Sequence, residues 1–221
     1  FTACSKQEEI PAGPNTLTKQ EIAEGWKLLF DGETLNGWKT ANPGTWKVEE
    51  GTVTQADSGG MGSGGMIWTV EQYGNFILEC EYKLQPKCNS GIFFRVGDLD
   101  NHVQTGFEMQ VADSYGSERI NKHSSGALYD LVVPSSNAAK PAGNWNHAVV
   151  YADDNIVTLK LNGVTVVENV NLDEYTTPNM SVDGTKNKFK TAIKDFPRVG
   201  YIGFQQHGGN IWYRSIKIKE L

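Results

Sequence analysis

The sequence predicts an all-β protein in which two antiparallel sheets pack into a sandwich. Strand-sized runs recur from residue 26 to the C-terminus, and glycine, proline, asparagine or aspartate bounds each of them. Two hairpin turns, Asp153-Asp154-Asn155 and Asn162-Gly163, join successive runs. Only one segment has the signature of a helix. Many short strands at this spacing are typical of a sandwich or a barrel.

The elements follow in chain order. Thr18-Lys19-Gln20-Glu21 forms a capping box that begins a short N-terminal helix, and Gly25 ends it. The predicted strands after it are Trp26–Phe30, Trp46–Glu50, Gly65–Thr69, Asn75–Leu84, Gly91–Val96, Gly106–Ala112, Gly126–Leu131, Trp145–Ala152, Ile156–Leu161, Thr165–Asn169, Gly200–Gln206 and Ile211–Lys219. Alternation places Cys80 inside as a small apolar residue, and its geometry toward Cys88 disfavours a disulfide. The long polar stretch Leu172–Pro197 is predicted to be a functional or irregular insertion.

The charge and the apolar pattern exclude two classes of partner. Of the 221 residues, 20 are basic and 26 are acidic, which leaves a net charge of -6. Nucleic-acid binding needs a clustered basic face, so we expect none. The lysines at 186, 188, 190 and 194 are interpreted as a solvated face. No apolar run approaches the roughly 20 residues of a membrane-spanning helix.

The N-terminal segment predicts a lipid anchor. Phe1-Thr2-Ala3-Cys4, followed by a polar stretch, is similar to the end of a bacterial lipoprotein signal, in which the cysteine is acylated. Residues 1–15 would then be a tail, and residues 16–221 would form the folded domain. The protein would be exported and held in the cell envelope through Cys4. The alternative is an ordinary cysteine in a frayed terminus.

Polar residues on the predicted strands give the candidate site. Alternation turns Glu108 and Gln110 away from the core, and it turns Arg95 of the preceding strand the same way. Cross-strand neighbours on one face can interact, although a surface ion pair is the simpler interpretation. His207 ends a strand before two glycines, which makes it an acid-base candidate. Further candidates, chosen as polar groups or as rings suited to sugar stacking, are Trp68, Asp113, His123, Tyr129, Gln206, Trp212 and Arg214. Asp113 could instead begin a turn, and His123 could be a plain loop residue.

Familiar catalytic and cofactor motifs are missing from the sequence. It contains no His-Glu-x-x-His, no paired cysteines, no Gly-x-Ser-x-Gly and no glycine-rich phosphate loop that leads into a helix. We therefore predict no cofactor and no dedicated metal site, while Glu108 and His207 could recruit a divalent ion with neighbouring oxygens. The expected partner is a small carbohydrate, and the oligomeric state is left open.

Many short blocks, in order, resemble the bacterial 3-keto-disaccharide hydrolase family from about residue 24 to the end. They include Gly25-Trp26-Lys27-Leu28-Leu29-Phe30-Asp31-Gly32, Gly65-Met66-Ile67-Trp68-Thr69, Asn89-Ser90-Gly91-Ile92, Gly106-Phe107-Glu108-Met109-Gln110 and Gly203-Phe204-Gln205-Gln206-His207-Gly208. The resemblance implies a concanavalin-A-like lectin/glucanase sandwich, or jelly roll. Relatives often have Gln-Asp-His where this chain has Gln205-Gln206-His207.

The resemblance implies a substrate whose ketone acidifies the proton on C2 of the sugar. Cleavage would then proceed by removal of that proton, elimination of the aglycone and addition of water. We assign Glu108 as the base, Arg95 as the charge stabiliser and His207 as the acid-base partner. Trp68, Gln110, Asp113, His123, Tyr129, Gln206, Trp212 and Arg214 would bind the sugar.

Two other functions stay open. A conventional glucanase would need two carboxyl groups about 5–5.5 Å apart for retention, and Glu108 and Asp113 share a face only if a bulge shifts the alternation. A non-catalytic glycan-binding lipoprotein would use the same aromatic groups without chemistry. It would bind an unoxidised oligosaccharide and turn over no keto form.

Overall fold

A computed structural model describes residues 13–40, 45–55 and 65–221. The tail with Cys4 lies outside these residues, so the lipid anchor stays a prediction. The thirteen strands are β1 Trp26–Leu28, β2 Trp38–Thr40, β3 Lys47–Glu49, β4 Thr52–Gln55, β5 Met66–Tyr73, β6 Phe76–Leu84, β7 Asn89–Val96, β8 Phe107–Ala112, β9 Asn146–Asp153, β10 Ile156–Leu161, β11 Val164–Asn171, β12 Gly200–Gln206 and β13 Ile211–Glu220. The helices are α1 Lys19–Ala23, α2 His102–Thr105 and the 3-10 turns Leu172–Glu174 and Ile193–Asp195.

The strands form two antiparallel sheets, which confirms the predicted sandwich. The eight-stranded sheet has the order β11-β10-β9-β6-β13-β4-β3, with β1 also paired to β13. The five-stranded sheet has the order β2-β5-β12-β7-β8. The apolar residues that alternate along the strands fill the space between the sheets, as in the stacked rings of Phe204 and Tyr213, whose centroids lie 4.1 Å apart. Each sheet therefore keeps one face turned away from the other.

Most predicted elements are confirmed. The capping box at Thr18 and Glu21 is formed, and the helix ends before Gly25, whose φ is +90°. Cys80 and Cys88 are buried thiols and are not joined by a disulfide. The strand predicted at Gly126–Leu131 is wrong, because that segment is a loop with two isolated bridges, from Leu128 to Met109 and to Val132. Strands β2 and β4 and helix α2 were not predicted. None of the helices in the described ranges is long and apolar enough to cross a membrane.

The insertion predicted at Leu172–Pro197 folds back onto the domain. Its apolar side chains Tyr175, Phe189, Ile193 and Phe196 are buried in the core. The rings of Phe189 and Phe196 meet edge to face at 5.6 Å, and Phe196 also packs on Phe107 of β8. Burial of these side chains fixes the polar residues between them, and Lys188 is held beside β8 for this reason.

Candidate active site

The candidate site lies on the face of the five-stranded sheet that is turned away from the other sheet. We call this surface the Glu108 face and define it by Trp68 of β5, Phe93 of β7, Glu108 and Gln110 of β8, and Gln205 of β12. Register places them side by side, since Phe93 pairs with both Glu108 and Gly203, and Gly203 pairs with Trp68. Phe107, Met109 and Val111 point into the core, which confirms the alternation predicted for β8.

Glu108 is the chemically distinctive group of this face. Its side chain crosses Gly91, where an added Cβ would lie 2.1 Å from Oε1, so only glycine leaves the carboxylate room to lie there. The residue is 8% exposed, and no hydrogen bond reaches its carboxylate from any residue the structure describes. Burial raises its pKa to about 8, while the positive charge of Lys188 lowers the pKa and opposes that shift. A poised, unpartnered carboxyl of this kind is a candidate general base.

A chain of hydrogen bonds leads from Gln110 to His207. The Nε2 of Gln110 donates to Oδ1 of Asn89 at 2.7 Å, and Nδ2 of Asn89 lies 2.9 Å from Nδ1 of His207. Because an amide NH2 group only donates, Nδ1 accepts this bond and the neutral ring carries its proton on Nε2. The structure thus brings Glu108, Gln110 and His207 to one face, with Asn89 as a link that the sequence analysis missed.

A second wall of the site comes from the loop after β8 and from the insertion. The ring of Tyr129 contacts both His123, whose ring centre is 4.8 Å away, and Nζ of Lys188, which lies 3.9 Å from the Tyr129 centroid. Asp130 ties both segments together, since it accepts from the backbone of Lys188 at 2.6 Å and its Oδ1 lies 3.0 Å from Nε2 of His123. The backbone N–H of Tyr129 donates to the carbonyl oxygen of Glu108 at 2.9 Å, so Tyr129 lies next to Glu108 and brings His123 and Lys188 with it.

Trp68 forms part of a buried wall. It is 4% exposed, its ring lies over Gly203, and it packs on Phe93 and on His102 at ring-centre distances of 6.0 and 5.6 Å. Burial and the charge of Lys188 lower the pKa of His102. A hollow of about 430 Å³ adjoins this wall, lined by Lys39, Thr40, Met66, Trp68, Leu99, Asp100 and His102. Its volume lies within the range of small-molecule sites.

Arg95 does not belong to this site, which corrects the assignment made from alternation. A bulge in β7 holds Arg95 at φ 51° and shifts its pairing with β12, so that Phe93 and Val96 share the Glu108 face while Arg95 turns inward. Its guanidinium donates to the backbone oxygens of Gly74 and Asp154 at 2.8 and 2.7 Å. Arg95 is fully buried, and its hydrogen bonds link the turn at Gly74 to the turn at Asp154.

Four sugar-binding assignments are also corrected. Gln206 points into the core, where its Nε2 donates to the Gly209 carbonyl. The aspartate that relatives often have at this position would therefore also face away from the site. Its neighbour Gln205, which the sequence analysis overlooked, is on the Glu108 face. Asp113 is exposed and accepts from the backbone of Lys87 at 2.9 Å, the turn role left open above. Trp212 and Arg214 lie on the outer face of the eight-stranded sheet.

The separation of Glu108 and Asp113 also bears on conventional hydrolysis. Five residues of extended chain span roughly 16 Å, and an odd separation turns the two side chains to opposite faces. A retaining glycosidase needs a separation of about 5–5.5 Å, so this pair cannot serve. Within residues 13–40, 45–55 and 65–221, no group of three histidine, cysteine, aspartate or glutamate side chains is arranged to hold a metal. The absence of a cofactor stays a prediction.

Comparison with known proteins assigns the family. Residues 25–219 match the family described as the 3-keto-alpha-glucoside-1,2-lyase-like domain. The chain belongs to this family. It is also 29% identical, over 230 aligned residues, to a protein named 3-keto-disaccharide hydrolase from Bacteroides thetaiotaomicron, with 90% of this chain and 79% of that protein covered. The family resemblance drawn from the sequence blocks is thereby confirmed.

Solved structures support the fold. A crystal structure of a proposed glycosyl hydrolase from Parabacteroides distasonis has a TM-score of 0.79 and 27% identity, covering 89% of this chain and 99% of that one. The carbohydrate-binding module CBM66 from Bacillus subtilis has a TM-score of 0.51 at 14% identity, covering 83% of this chain and 96% of the module. The second comparison shows a shared fold alone.

Proposed function

We propose that this protein is a glycosidase that cleaves 3-keto-glycosides by proton abstraction and elimination, followed by addition of water. The observation that carries the proposal is the carboxyl of Glu108, which is buried, unpartnered within the described chain and poised over Gly91. Family membership and the name of the Bacteroides relative support the substrate class. Elimination followed by hydration also accounts for a lyase-like name and a hydrolase name in one family, because the two steps together amount to hydrolysis.

The reaction needs three groups. A base takes the C2 proton, and the electron pair of that bond forms an enolate whose negative charge rests on the C3 oxygen. The enolate then restores the C3 carbonyl, forms a C1–C2 double bond and expels the aglycone oxygen from C1. Water finally adds its hydroxyl to C1 and a proton to C2. The protein must supply the base, a cation or donor for the enolate oxygen and a hydrogen-bond donor for the leaving oxygen, which takes its proton from water.

The geometry favours Glu108 as the base, as proposed from the sequence, and His207 as a hydrogen-bond donor to the leaving group, but it replaces the third group. Lys188 takes the place of Arg95, because its ammonium lies beside Tyr129 and acts on the charge of Glu108. His207 would donate a hydrogen bond from Nε2–H to the leaving oxygen and stabilise its negative charge while Asn89 holds Nδ1, and water would supply the proton that the aglycone takes up. Gln110, His123 and Tyr129 remain as sugar-orienting side chains, and Gln205 joins them.

Release of nitrophenol from a nitrophenyl 3-keto-α-glucoside tests the proposal. We expect Glu108→Gln to lose about a thousandfold in kcat/KM, because the amide cannot accept the proton. Asp113→Asn is the matched control, since it changes an exposed carboxyl on the same hairpin, and it should keep wild-type activity. Near wild-type activity of Glu108→Gln would contradict the assignment.

The same assay in D2O separates the three functions. Elimination and hydration place deuterium at C2 of the released sugar, above the amount that 3-keto-glucose alone exchanges under the same conditions. Direct hydrolysis would leave C2 protonated at first turnover and would also release nitrophenol from the unoxidised glucoside. A glycan-binding protein would release none from either. Either of these last outcomes would overturn the proposed function.

A further inference from the structure

The outer face of the eight-stranded sheet carries a second hollow, far from the Glu108 face. It has a volume of about 430 Å³, and we call it the Trp212 groove, defined by Glu49, Glu50, Lys83, Trp145, Trp212 and Arg214. Sheet packing alone separates the two faces by about 10 Å, and the side chains of both outer faces add to that distance. A sugar ring in the groove therefore cannot reach Glu108.

The groove is built on regular strands, so its shape is fixed by sheet register. Trp212 of β13 pairs with Lys83 of β6, and Trp145 immediately precedes β9, whose Asn146 pairs with Tyr82. The two indoles thus flank Lys83, whose Nζ lies 4.9 Å from the Trp212 ring centre and 5.1 Å from that of Trp145. Both indoles are half-buried, which leaves part of each ring to meet a ligand.

The charged side chains of the groove are equal in number, and two of them pair with neighbours outside it. Arg214 stacks on Trp145 at 3.9 Å and donates to Glu81 at 2.8 Å, while Glu49 contacts Lys47 at 3.2 Å. The lining holds two acidic and two basic side chains, so it presents no net charge to an ion. Indole rings with neighbouring carboxylate, ammonium and guanidinium groups suit a ligand that combines apolar ring faces with many hydroxyls.

We propose that the Trp212 groove is a second saccharide-binding site, which holds a neutral oligosaccharide without cleaving it. The groove is distinct from the catalytic proposal, because it shares no residue with the Glu108 face. Its volume falls within the range of small-ligand sites, and the register of β13, β6 and β9 sets the spacing of its rings before any ligand arrives. Bound glycan would hold the protein near its carbohydrate source while the Glu108 face stays open to substrate.

Calorimetric titration of the full chain with maltotriose, cellotriose and laminaritriose tests the site. We expect saturable binding of at least one trisaccharide with a Kd of about millimolar, and a loss of about tenfold or more in Trp212→Ala and in Trp145→Ala. Trp26→Ala is the matched control, because Trp26 is also a half-buried tryptophan beside a lysine, with Lys217 at 5.1 Å, outside the groove. It should bind like wild type. If Trp212→Ala fails to fold, Trp212→Phe, which keeps an aromatic ring at this position, takes its place in the titration.

Three outcomes would overturn the second site. These are no saturable binding of any of the trisaccharides, equal binding by wild type and the two groove variants, and loss of binding in Trp68→Ala with Trp212→Ala unaffected. Cleavage of the nitrophenyl 3-keto-glucoside should be unchanged in Trp212→Ala. This readout separates the two proposals, because failure of the groove leaves cleavage intact and failure of cleavage leaves trisaccharide binding intact.

Discussion

Arg95 and Glu108 are the two buried charged side chains of the described chain, and they lie on neighbouring strands with opposite surroundings. Arg95 faces the interior and gives three hydrogen bonds, to Gly74, Asp154 and the side chain of Asn75. Glu108 faces outward and receives none from the described residues. A buried charged group whose hydrogen-bond donors all have acceptors stabilises the fold. A buried charged group without a partner lowers the stability of the fold, and only a function explains why it is retained.

Replacement of Arg95 should produce the largest loss of stability. Arg95→Gln leaves buried carbonyl oxygens without donors, at 1–3 kcal/mol each, so we expect a loss of roughly 5 kcal/mol in the free energy of unfolding. Urea denaturation measures this loss. Activity per folded molecule should stay near wild type, because Arg95 does not touch the Glu108 face. The control is Arg119→Gln, which alters an exposed arginine. A stable but inactive Arg95→Gln would restore Arg95 to the site.

Replacement of Glu108 should have the opposite effect, and only at high pH. Burial raises the pKa of Glu108 to about 8 in the folded state, above the ordinary value of 4.5. Between those values the unfolded chain loses a proton that the folded chain keeps, so the folded state loses stability as the pH rises and then levels off above about 8. Glu108→Gln removes this loss and should be more stable than wild type by roughly 5 kcal/mol at high pH.

Below pH 4 the advantage of Glu108→Gln should vanish, because the carboxyl is then protonated in both states. Thermal denaturation at several pH values measures the difference. The control is Glu118→Gln, an exposed carboxyl that should shift neither the size nor the pH dependence of stability. Parallel pH curves for wild type and Glu108→Gln would show that Glu108 ionises normally, and the contrast with Arg95 would fail.

The alternation of apolar residues predicted the orientation of Glu108 correctly and that of Arg95 wrongly. On β8 the period of two holds throughout, so Glu108 and Gln110 face outward as predicted. On β7 a bulge inserts an extra residue opposite β12; Phe94 stays in the core, but Arg95 and Val96 exchange the faces that alternation gives them. The bulge is set by pairing with a strand more than one hundred residues away and by turns that accept from Arg95. Local periodicity carries no sign of either contact.

The same limit explains the other corrections. Trp212 and Arg214 lie in a strand that was predicted, but periodicity does not say which sheet a strand joins, and β13 joins the eight-stranded one. Lys188 was interpreted as part of a solvated face because its segment is rich in lysine. The apolar residues Phe189 and Ile193 in the same segment could have predicted its position, since their burial holds the segment against the domain.

Lys188 gives the smallest effect and the sharpest test of the electrostatics around Glu108. Its charge lowers the pKa of Glu108, so Lys188→Met should raise the apparent pKa on the ascending limb of kcat/KM against pH, and activity near neutral pH should fall about tenfold. Lys188→Arg should return the apparent pKa of the ascending limb to its wild-type value, because it restores the positive charge. A purely structural role of Lys188 would not make that pKa depend on the charge. The control is Lys186→Met, an exposed lysine of the same segment. A limb that stays in place in Lys188→Met would mean that Lys188 acts only through packing on Tyr129, and that the carboxyl of Glu108, unlike the guanidinium of Arg95, has no partner that stabilises its charge.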